Sequence, residues 1–218
     1  MKRSVYSLVL ANEVIEEVDK LAYSMNTSRS NLINQILAER VELHTPEMRM
    51  KDIFTQLEEL MSQNFQQLSL PTDNIWAVKS PLRYKYRPTI KYSFELFRSF
   101  HGCVGKLKVS FRTQSKGFID IVDSFFNCWV AIEEKYIGKY FKSGIPQKIS
   151  DGRFERDFYE IKSGTLTDKK ISVWVSQYIK LIDTCIQIYF DNLEDTNKAI
   201  KTIEKLYNDN LKDGTPIL

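Results

Sequence analysis

The first forty-three residues place the tightest limit on how this chain can fold. A short alternating apolar stretch, Ser4–Leu10, is followed by two amphipathic helical patterns that a polar segment, Asn26–Ser30, separates. One strand and two helices of this size cannot bury their apolar sides unaided, because so short a segment holds too little core. We therefore expect the segment to fold by pairing with a second copy, as an obligate dimer.

Two helices are predicted on either side of the polar segment. The first is expected from Asn12 to Met25 and the second from Ser28 onward. Asn26 can adopt the left-handed conformation that ends a helix, and Ser28 is a good N-cap. Apolar residues recur at intervals of three and four on one side of each helix. They are Val14, Ile15, Val18, Leu21, Ala22 and Met25, then Leu32, Ile33, Ile36 and Leu37.

The residues between Val5 and Val41 form a distinctive pattern. Its positions are Leu8-Val9-Leu10, Val14, Val18, Leu21-Ala22, Ser28-Arg29-Ser30-Asn31-Leu32-Ile33 and Leu37. In these residues the segment resembles the ribbon-helix-helix family, the bacterial repressors and antitoxins of CopG, Arc and MetJ type. In that family two strands pair antiparallel across a dimer axis, and this ribbon enters the major groove of DNA. The resemblance implies a homodimer through the N-terminal ribbon, with double-stranded DNA as its partner.

The alternation of the ribbon assigns one side to the dimer core and the other to DNA. The core side is expected to hold Tyr6, Leu8 and Leu10. The base-facing side is expected to hold Arg3, Val5, Ser7 and Val9. The resemblance further implies that Ser28, Arg29 and Ser30 clamp a phosphate, which also follows from the dipole of the second helix. Family members usually carry polar or basic side chains at the base-facing positions. Two valines there leave few hydrogen bonds for direct readout of the base sequence.

Two other interpretations of this segment stay open. A strand and two helices with this pattern also fit an incidental part of a larger α/β core. They fit equally a degenerate module that is kept only for dimerisation, since the base-facing side is so apolar. We favour a working DNA reader because the turn between the helices matches the family pattern.

The rest of the chain is long enough for one further domain. The 218 residues exceed a minimal ribbon-helix-helix module by about 170 residues. The apolar stretch Phe118–Ile137 is interrupted by four acidic residues, so we expect a buried helix rather than a membrane span. The N-terminal stretch lacks the continuous apolar run of a signal peptide. We expect a cytoplasmic protein that has no membrane association.

No residue pattern points to catalysis, a metal or a cofactor. Cys103, Cys128 and Cys185 are odd in number and widely spaced, and the only histidines are His44 and His101. We expect reduced structural thiols rather than a zinc site, although His101 and Cys103 lie two positions apart. The chain also lacks a glycine-rich phosphate loop and a nucleophile elbow. We therefore expect no enzymatic activity and no cofactor.

Breaks in the pattern set the domain boundaries. We expect the DNA-binding and dimerisation module at 1–44, a connecting helix at 45–70 and a C-terminal domain at 71–218. Thr45 and Pro46 are a strong helix start, and the helix should run to about Leu68. The heptad spacing of Ile53 and Leu60 leaves two options open. This helix either continues the dimer contact or packs on its own C-terminal domain.

The C-terminal domain is predicted to be mostly helical with a small sheet, so the fold class is mainly α with small β (α+β). A period of two in Ile90–Leu96 and Leu107–Phe111 predicts an antiparallel hairpin within residues 82–113. Helices are predicted at about 116–140, 170–191 and 194–211. The stretch Lys142–Asp168 is rich in helix breakers, with a short strand expected around Phe158–Lys162.

Positive charge is concentrated on the predicted hairpin. Residues 79–116 hold ten Lys and Arg against one Glu, a net charge of +9, whereas residues 1–45 have a net charge of −1. We interpret the hairpin as a secondary basic patch that contacts DNA phosphates. Its candidate residues are Arg83, Lys85, Arg87, Lys91, Lys106, Lys108 and Arg112. Two alternatives stay open, protection of exposed strands from aggregation and ion pairs with acidic helices of the same domain.

Three functions fit these observations. The first is a dimeric sequence-specific DNA-binding protein, a transcriptional repressor of a bacterium or its mobile DNA, with or without higher oligomers on DNA. The second is an adaptor in plasmid partition, conjugation or a toxin-antitoxin system, whose C-terminal domain binds another protein. The third is an enzyme or small-molecule binder whose helices enclose a ligand or effector. Its pocket would be lined by Phe118, Phe125, Trp129, Trp174 and Tyr178, although aromatic residues at helical spacing are more often core. We favour the first.

Overall fold

Six α-helices and a six-stranded antiparallel sheet make up the described part of the chain. The computed structural model describes residues 5–43, 45–63, 65–70, 72–85, 87–98, 102–160 and 166–212. The chain divides into two compact units, the first ending at Met48 and the second beginning at Arg49. The mixed helix and sheet content agrees with the predicted α+β class.

The first unit contains the two predicted helices. Helix α1 spans Asn12–Ser24 and helix α2 spans Arg29–Arg40. Asn26 has the expected left-handed conformation, with a φ of 51°. Ser28 is the N-cap of α2, since the Asn31 N–H donates to its Oγ at 3.2 Å. The turn chemistry between the two helices is therefore confirmed.

The predicted N-terminal strand is not formed within the single chain. Residues 5–10 have no regular secondary structure, and Ser4 lies outside the described residues. A strand of an intermolecular ribbon needs the backbone of a second copy for its hydrogen bonds. The ribbon therefore stays a prediction.

Helix α3, Pro46–Met61, begins where predicted and ends seven residues early. The Met48 N–H donates to Thr45 Oγ1 at 3.1 Å, which confirms the cap. The expected continuation to Leu68 is wrong, because the chain leaves the helix and pairs with the sheet. Strand β1, Gln66–Gln67, follows, and Phe65 packs edge-on against the Tyr92 ring with centroids 5.9 Å apart.

The buried side of α3 packs on the core of its own C-terminal domain. Its buried residues are Met50, Ile53, Leu57 and Met61, and all four belong to the core of the second unit. Leu60, which the heptad interpretation needs, is 38% exposed. Of the two options that the sequence left open, packing on the same chain is confirmed.

The sheet is larger than the predicted hairpin. After β1, its strands are β2 (Ile75–Pro81), β3 (Thr89–Leu96), β4 (Cys103–Phe111), β5 (Gln147–Ser150) and β6 (Arg153–Tyr159). All pairs are antiparallel in the order β1-β2-β3-β4-β6-β5. The predicted hairpin is β3 and β4, with Tyr92 opposite Val109. Along β3, buried and half-buried residues alternate strictly, as the period of two predicts.

Strands β1, β2 and β5 were not predicted, and β6 was predicted too late in the sequence. In β2 and β6 the buried residues break the usual alternation. In β2 three consecutive residues, Trp76, Ala77 and Val78, are buried, so this apolar run does not alternate with polar residues. In β6 the inward residues are Phe154, Arg156 and Phe158, and a fully buried arginine interrupts the apolar pattern. The strand expected around Phe158–Lys162 therefore lies earlier, and residues 161 and 162 fall outside the described residues.

Three long helices complete the second unit. They are α4 (Lys116–Ile137), α5 (Asp168–Asp191) and α6 (Thr196–Lys212), close to the predicted bounds, and a 3₁₀ turn follows α4 at Gly138–Tyr140. The Phe126 ring of α4 stacks on Phe154 of the sheet with centroids 5.2 Å apart. Phe125 and Trp129 are buried in the same core. Most of the aromatic residues considered for a ligand pocket therefore belong to the core. None of the described helices is long and apolar enough to cross a membrane.

Candidate nucleic-acid interface

The predicted ribbon residues differ in the exposed fraction of their side chains. Val5 and Val9, on the expected base-facing side, are fully exposed at 102% each. On the expected core side, Leu8 and Leu10 are 50% and 37% exposed, because the rest of the chain partly covers them. Tyr6, which the alternation also assigns to the core side, is 85% exposed, so the assigned alternation stays a prediction. Ser7 is exposed as well, whereas Arg3 lies outside the described residues.

A large part of the apolar surface of the first unit is uncovered. Seven of its apolar side chains are 42% to 61% exposed, namely Val14, Leu21, Met25, Ile36, Leu37, Val41 and Leu43. Among the described apolar residues of this unit, only Ala22, Leu32 and Ala38 are buried. Exposed apolar surface on this scale is typical of an interaction site. The first unit therefore presents the helix surface that the ribbon interpretation needs for a second copy.

The start of α2 offers backbone donors rather than a free guanidinium. The Nε and Nη2 atoms of Arg29 donate to the two carboxylate oxygens of Asp19 on α1. This hydrogen-bonded pair raises the pKa of Arg29 and links the two helices. The first amides of a helix have no partner within it, and Ser28 caps only that of Asn31. A phosphate at this end would be held by the Arg29 and Ser30 amides.

The predicted basic patch separates into two groups, and the first is neutralised within the sheet. Lys106 and Lys108 of β4 lie directly opposite Asp157 and Glu155 of β6. The Nζ of Lys108 is 2.8 Å from Glu155, and that of Lys106 is 3.5 Å from Asp157. The hydrogen bond from Lys108 holds the pKa of Glu155 below its ordinary value. Intramolecular pairing thus accounts for these two lysines, with acids on a strand rather than on helices.

The second group keeps its charge free. Lys85, Arg87 and Arg112 are exposed, and no ion pair of the described residues involves them. We call these three residues the basic loop group. The Arg112 N–H donates to the Thr89 carbonyl at 3.4 Å, which places Arg112 at the sheet end that carries the β2–β3 loop. Their positive charges therefore lie at one end of the sheet.

The remaining two patch residues differ from both groups. Arg83, in the β2–β3 loop, is 3.3 Å from Asp191 at the end of α5, a pair with a helix of the same domain. Lys91 of β3 lies opposite Lys79 of β2 on the outer side of the sheet. Neither lysine has an ion-pair partner among the described residues. They extend positive potential from the loop end along the outer side of the sheet.

Sequence reasoning missed a buried polar cluster in the second unit. The Glu133 carboxylate lies 3.2 Å from Arg156 Nε in an ion pair, and both side chains are fully buried. Tyr178 donates to Glu133 at 3.1 Å and accepts from the Trp129 indole at 2.9 Å. Burial raises the pKa of Glu133, and Arg156 opposes that rise. The only signal was an acid inside the apolar side of α4.

A second polar cluster lies between α5 and the sheet. Asp183 accepts hydrogen bonds from the Ser80 hydroxyl and from Tyr92 Oη, the latter at 2.8 Å. Burial raises the pKa of Asp183, and its hydrogen bonds limit the rise. The geometry attaches a helix to two strands, and the charge of Arg83 also acts to lower the pKa of Asp183.

The described residues contain no group of three or more His, Cys, Asp or Glu arranged to hold a metal ion. Cys103, Cys128 and Cys185 are free thiols, and both histidines lie outside the described residues. No protein-family model, curated protein or solved structure matches this chain. The candidate interface therefore rests on its own geometry.

Proposed function

We propose that the chain is a dimeric, sequence-specific DNA-binding protein that represses transcription and reads DNA through an N-terminal ribbon. The observation that carries the proposal is the uncovered apolar surface of the first unit next to an unpaired alternating segment. Residues 5–10 have no partner strand in the single chain, and the apolar sides of α1 and α2 are half exposed. A second copy would supply both the strand and the cover.

The energetics favour a second copy as the occupant of this surface. Complete burial of a Val, Leu, Ile or Met side chain contributes about 1.5–3 kcal/mol. Seven first-unit residues of this type are about half exposed in each copy, so burying them in a dimer contributes on the order of 10 kcal/mol. Association itself costs about 4–15 kcal/mol. Added strand pairing between two Val5–Leu10 segments makes a symmetric dimer favourable.

In such a dimer the ribbon presents Val5, Ser7 and Val9 to the major groove. The valines contact thymine methyl groups and the serine hydrogen-bonds base edges. The Arg29 and Ser30 amides at the start of α2 hold a backbone phosphate. Direct readout of this kind is weak, because apolar contacts and one hydroxyl distinguish few bases.

The basic loop group supplies phosphate contacts that do not depend on sequence. Lys85, Arg87 and Arg112 are exposed cations without an ion pair in the described structure, unlike Lys106 and Lys108. Each phosphate neutralised by such a side chain contributes about 0.9 to the slope of log affinity against log salt. The group therefore adds salt-dependent affinity that the acidic first unit lacks.

Selection of bound duplexes from a random-sequence DNA pool tests the reading function. We expect the full chain to enrich one symmetric sequence. Replacement of Val9→Glu should weaken binding to that sequence by at least about 100-fold, because it places a carboxylate among bases and phosphates. The dimer should persist, as measured by sedimentation. No enrichment by the wild-type chain, or unchanged affinity of the Val9→Glu variant, would overturn the proposal.

The contribution of the basic loop group is tested by salt dependence. The double variant Lys85→Ala/Arg112→Ala should lower the slope of log affinity against log salt by about 3.6, because a dimer loses two such cations from each copy. The matched control is Lys106→Ala/Lys108→Ala, which removes the same charge from positions that are already paired with β6. Equal losses in the two double variants would contradict the division of the patch into two groups.

A further inference from the structure

A cavity of about 500 Å³ lies where the β2–β3 loop meets the end of β4 and the start of α4. Its whole lining belongs to the second unit. Small-molecule sites in proteins have volumes of about 300–1,000 Å³ and combine an apolar lining with a few polar groups. The cavity falls within this size range, and its lining likewise combines apolar residues with a few polar groups.

The floor of the cavity is aromatic and fixed in place. Tyr84 and Phe118 line it, with ring centroids 5.8 Å apart. Each ring also packs against Phe190 of α5, at 5.2 Å for Tyr84 and 5.5 Å for Phe118. Ile121 and Pro88 extend the apolar lining. The two rings are tilted by 41° to each other, and their contacts with the core hold this aromatic surface in place.

The rim of the cavity is cationic. Lys85 and Arg112 line it, no carboxylate does, and neither cation is in an ion pair of the described residues. The Thr113 and Ser115 side chains provide hydroxyl groups on the same rim. Two unpaired cations beside hydroxyl donors suit an anionic group, which Arg binds in bidentate fashion.

Gly117 leaves space where a side chain would otherwise stand. The residue lines the cavity in the first turn of α4, and a Cβ placed there meets no atom within 4 Å. The residue is not among the glycines with a positive φ, so the backbone itself does not require glycine. A larger side chain at position 117 would enter open space and leave the packing of the fold unchanged.

We propose that this cavity binds a small organic anion, whose acidic group pairs with Lys85 and Arg112 and whose apolar ring lies on Tyr84 and Phe118. A DNA phosphate would need the cations but not an enclosed aromatic floor. The inference goes beyond the proposed DNA-binding function and does not depend on it. It gives the C-terminal domain a ligand site at the loop end of its sheet.

Binding of three probes by ligand-detected NMR tests the site in the full chain. Phenyl phosphate carries both the ring and the anion, inorganic phosphate only the anion, and benzyl alcohol only the ring. We expect phenyl phosphate to bind on the order of tenfold or more tightly than either of the other two. Equal binding of phenyl phosphate and inorganic phosphate, or of phenyl phosphate and benzyl alcohol, overturns the proposal.

Variants locate the binding. Gly117→Leu should abolish phenyl phosphate binding while the melting temperature stays equal or rises, since leucine favours a helix more than glycine does. Arg112→Gln should weaken binding on the order of tenfold and provides an independent check if the leucine variant unfolds. Lys148→Gln on β5, outside the cavity lining, is the charge-matched control and should change nothing. Unchanged binding in both cavity variants refutes the site.

A further arm separates a small ligand from DNA. Duplex DNA is titrated against the wild type and Gly117→Leu, which keeps both cations of the rim. We expect equal DNA affinity in the two proteins, because a filled cavity leaves exposed cations free for the backbone. A parallel loss of phenyl phosphate and DNA binding in Gly117→Leu would assign the cavity to DNA phosphate and overturn the proposal.

Discussion

The two units of this chain differ in how much of their apolar surface they cover by themselves. The second unit buries side chains from α3, the sheet, α4, α5 and α6 in one continuous core. The first unit buries only Ala22, Leu32 and Ala38 among its described apolar residues, and its residues 5–10 pair with no strand in the described part of the chain. A segment of about forty residues has too little interior to do otherwise. One unit therefore covers its own apolar surface in a single chain, and the other leaves much of its apolar surface exposed.

The largest effect is expected inside the second unit, from breaking the Glu133–Arg156 pair. Arg156→Met leaves the buried Glu133 carboxylate without its cation, which should lower the free energy of unfolding by about 3–5 kcal/mol. All three tryptophans, Trp76, Trp129 and Trp174, belong to the second unit. Tryptophan fluorescence in a denaturant titration therefore measures this unit alone.

The double variant Glu133→Leu/Arg156→Met is the control for that change. Removing both charges together should recover most of the loss, because no uncompensated charge stays buried. A single variant as stable as the wild type would mean that water reaches the pair, and the described burial of Arg156 would then be wrong.

The second prediction compares two leucines on one helix. Leu57 of α3 is fully buried in the second unit, whereas Leu60 is 38% exposed. Leu57→Ala should lower the free energy of unfolding by about 2–5 kcal/mol, and Leu60→Ala should change it by no more than about 0.5 kcal/mol. Both are measured by tryptophan fluorescence. If Leu60→Ala instead weakened dimerisation strongly, α3 would be part of the dimer seam after all.

The third prediction moves the comparison to the first unit. Leu37→Glu places a charge on the uncovered side of α2 and should raise the dimer dissociation constant by at least about 100-fold, or about 2.7 kcal/mol. Tyr23→Glu is the matched control, since Tyr23 is 90% exposed and continues the polar side of α1 from Glu16 and Lys20. Sedimentation equilibrium measures both variants.

The tryptophan transition should stay unchanged in both glutamate variants of the first unit. Such a result would show that the second unit folds independently of the dimer. A wild-type chain that sediments as a monomer at all concentrations would remove the difference between the two units and with it the proposed ribbon.

Periodicity in the sequence predicted the elements whose exposed and buried sides differ in polarity. Periodicity predicted helices α1 and α2 and the alternation in β3 for this reason. The cap at Ser28 was predictable from its residue type. Strand β6 was predicted too late in the sequence, because its inward position 156 holds an arginine. The partner of that arginine, Glu133, lies on another element, and sequence spacing carries no information on such a contact.

The sequence located the positive charges of the candidate site but not the ion pairs that some of them form. Counting charges located ten cations between residues 79 and 116. It did not reveal that β6, some fifty positions downstream of β4 by sequence, sets Glu155 and Asp157 against Lys108 and Lys106. Long-range strand pairing decides which cations stay free, and the cavity beside Arg112 follows from the same pairing.

The smallest effect is expected from one of these surface pairs, through its dependence on pH. Lys108 lowers the pKa of Glu155 below its value in the unfolded chain, so the pair stabilises the fold above the unfolded pKa and loses this effect as pH falls through the folded pKa. Both side chains are about a third or more exposed, so the contribution is no more than about 1 kcal/mol. Glu155→Gln should therefore be slightly less stable than the wild type near neutral pH, and the two should become equally stable in acid once Glu155 is protonated. Glu58→Gln, on the exposed side of α3, should show no such convergence.

A difference for Glu155→Gln that persists in acid would mean that the glutamine disturbs the β5–β6 packing itself, and that Lys108 is less neutralised than the sheet register indicates.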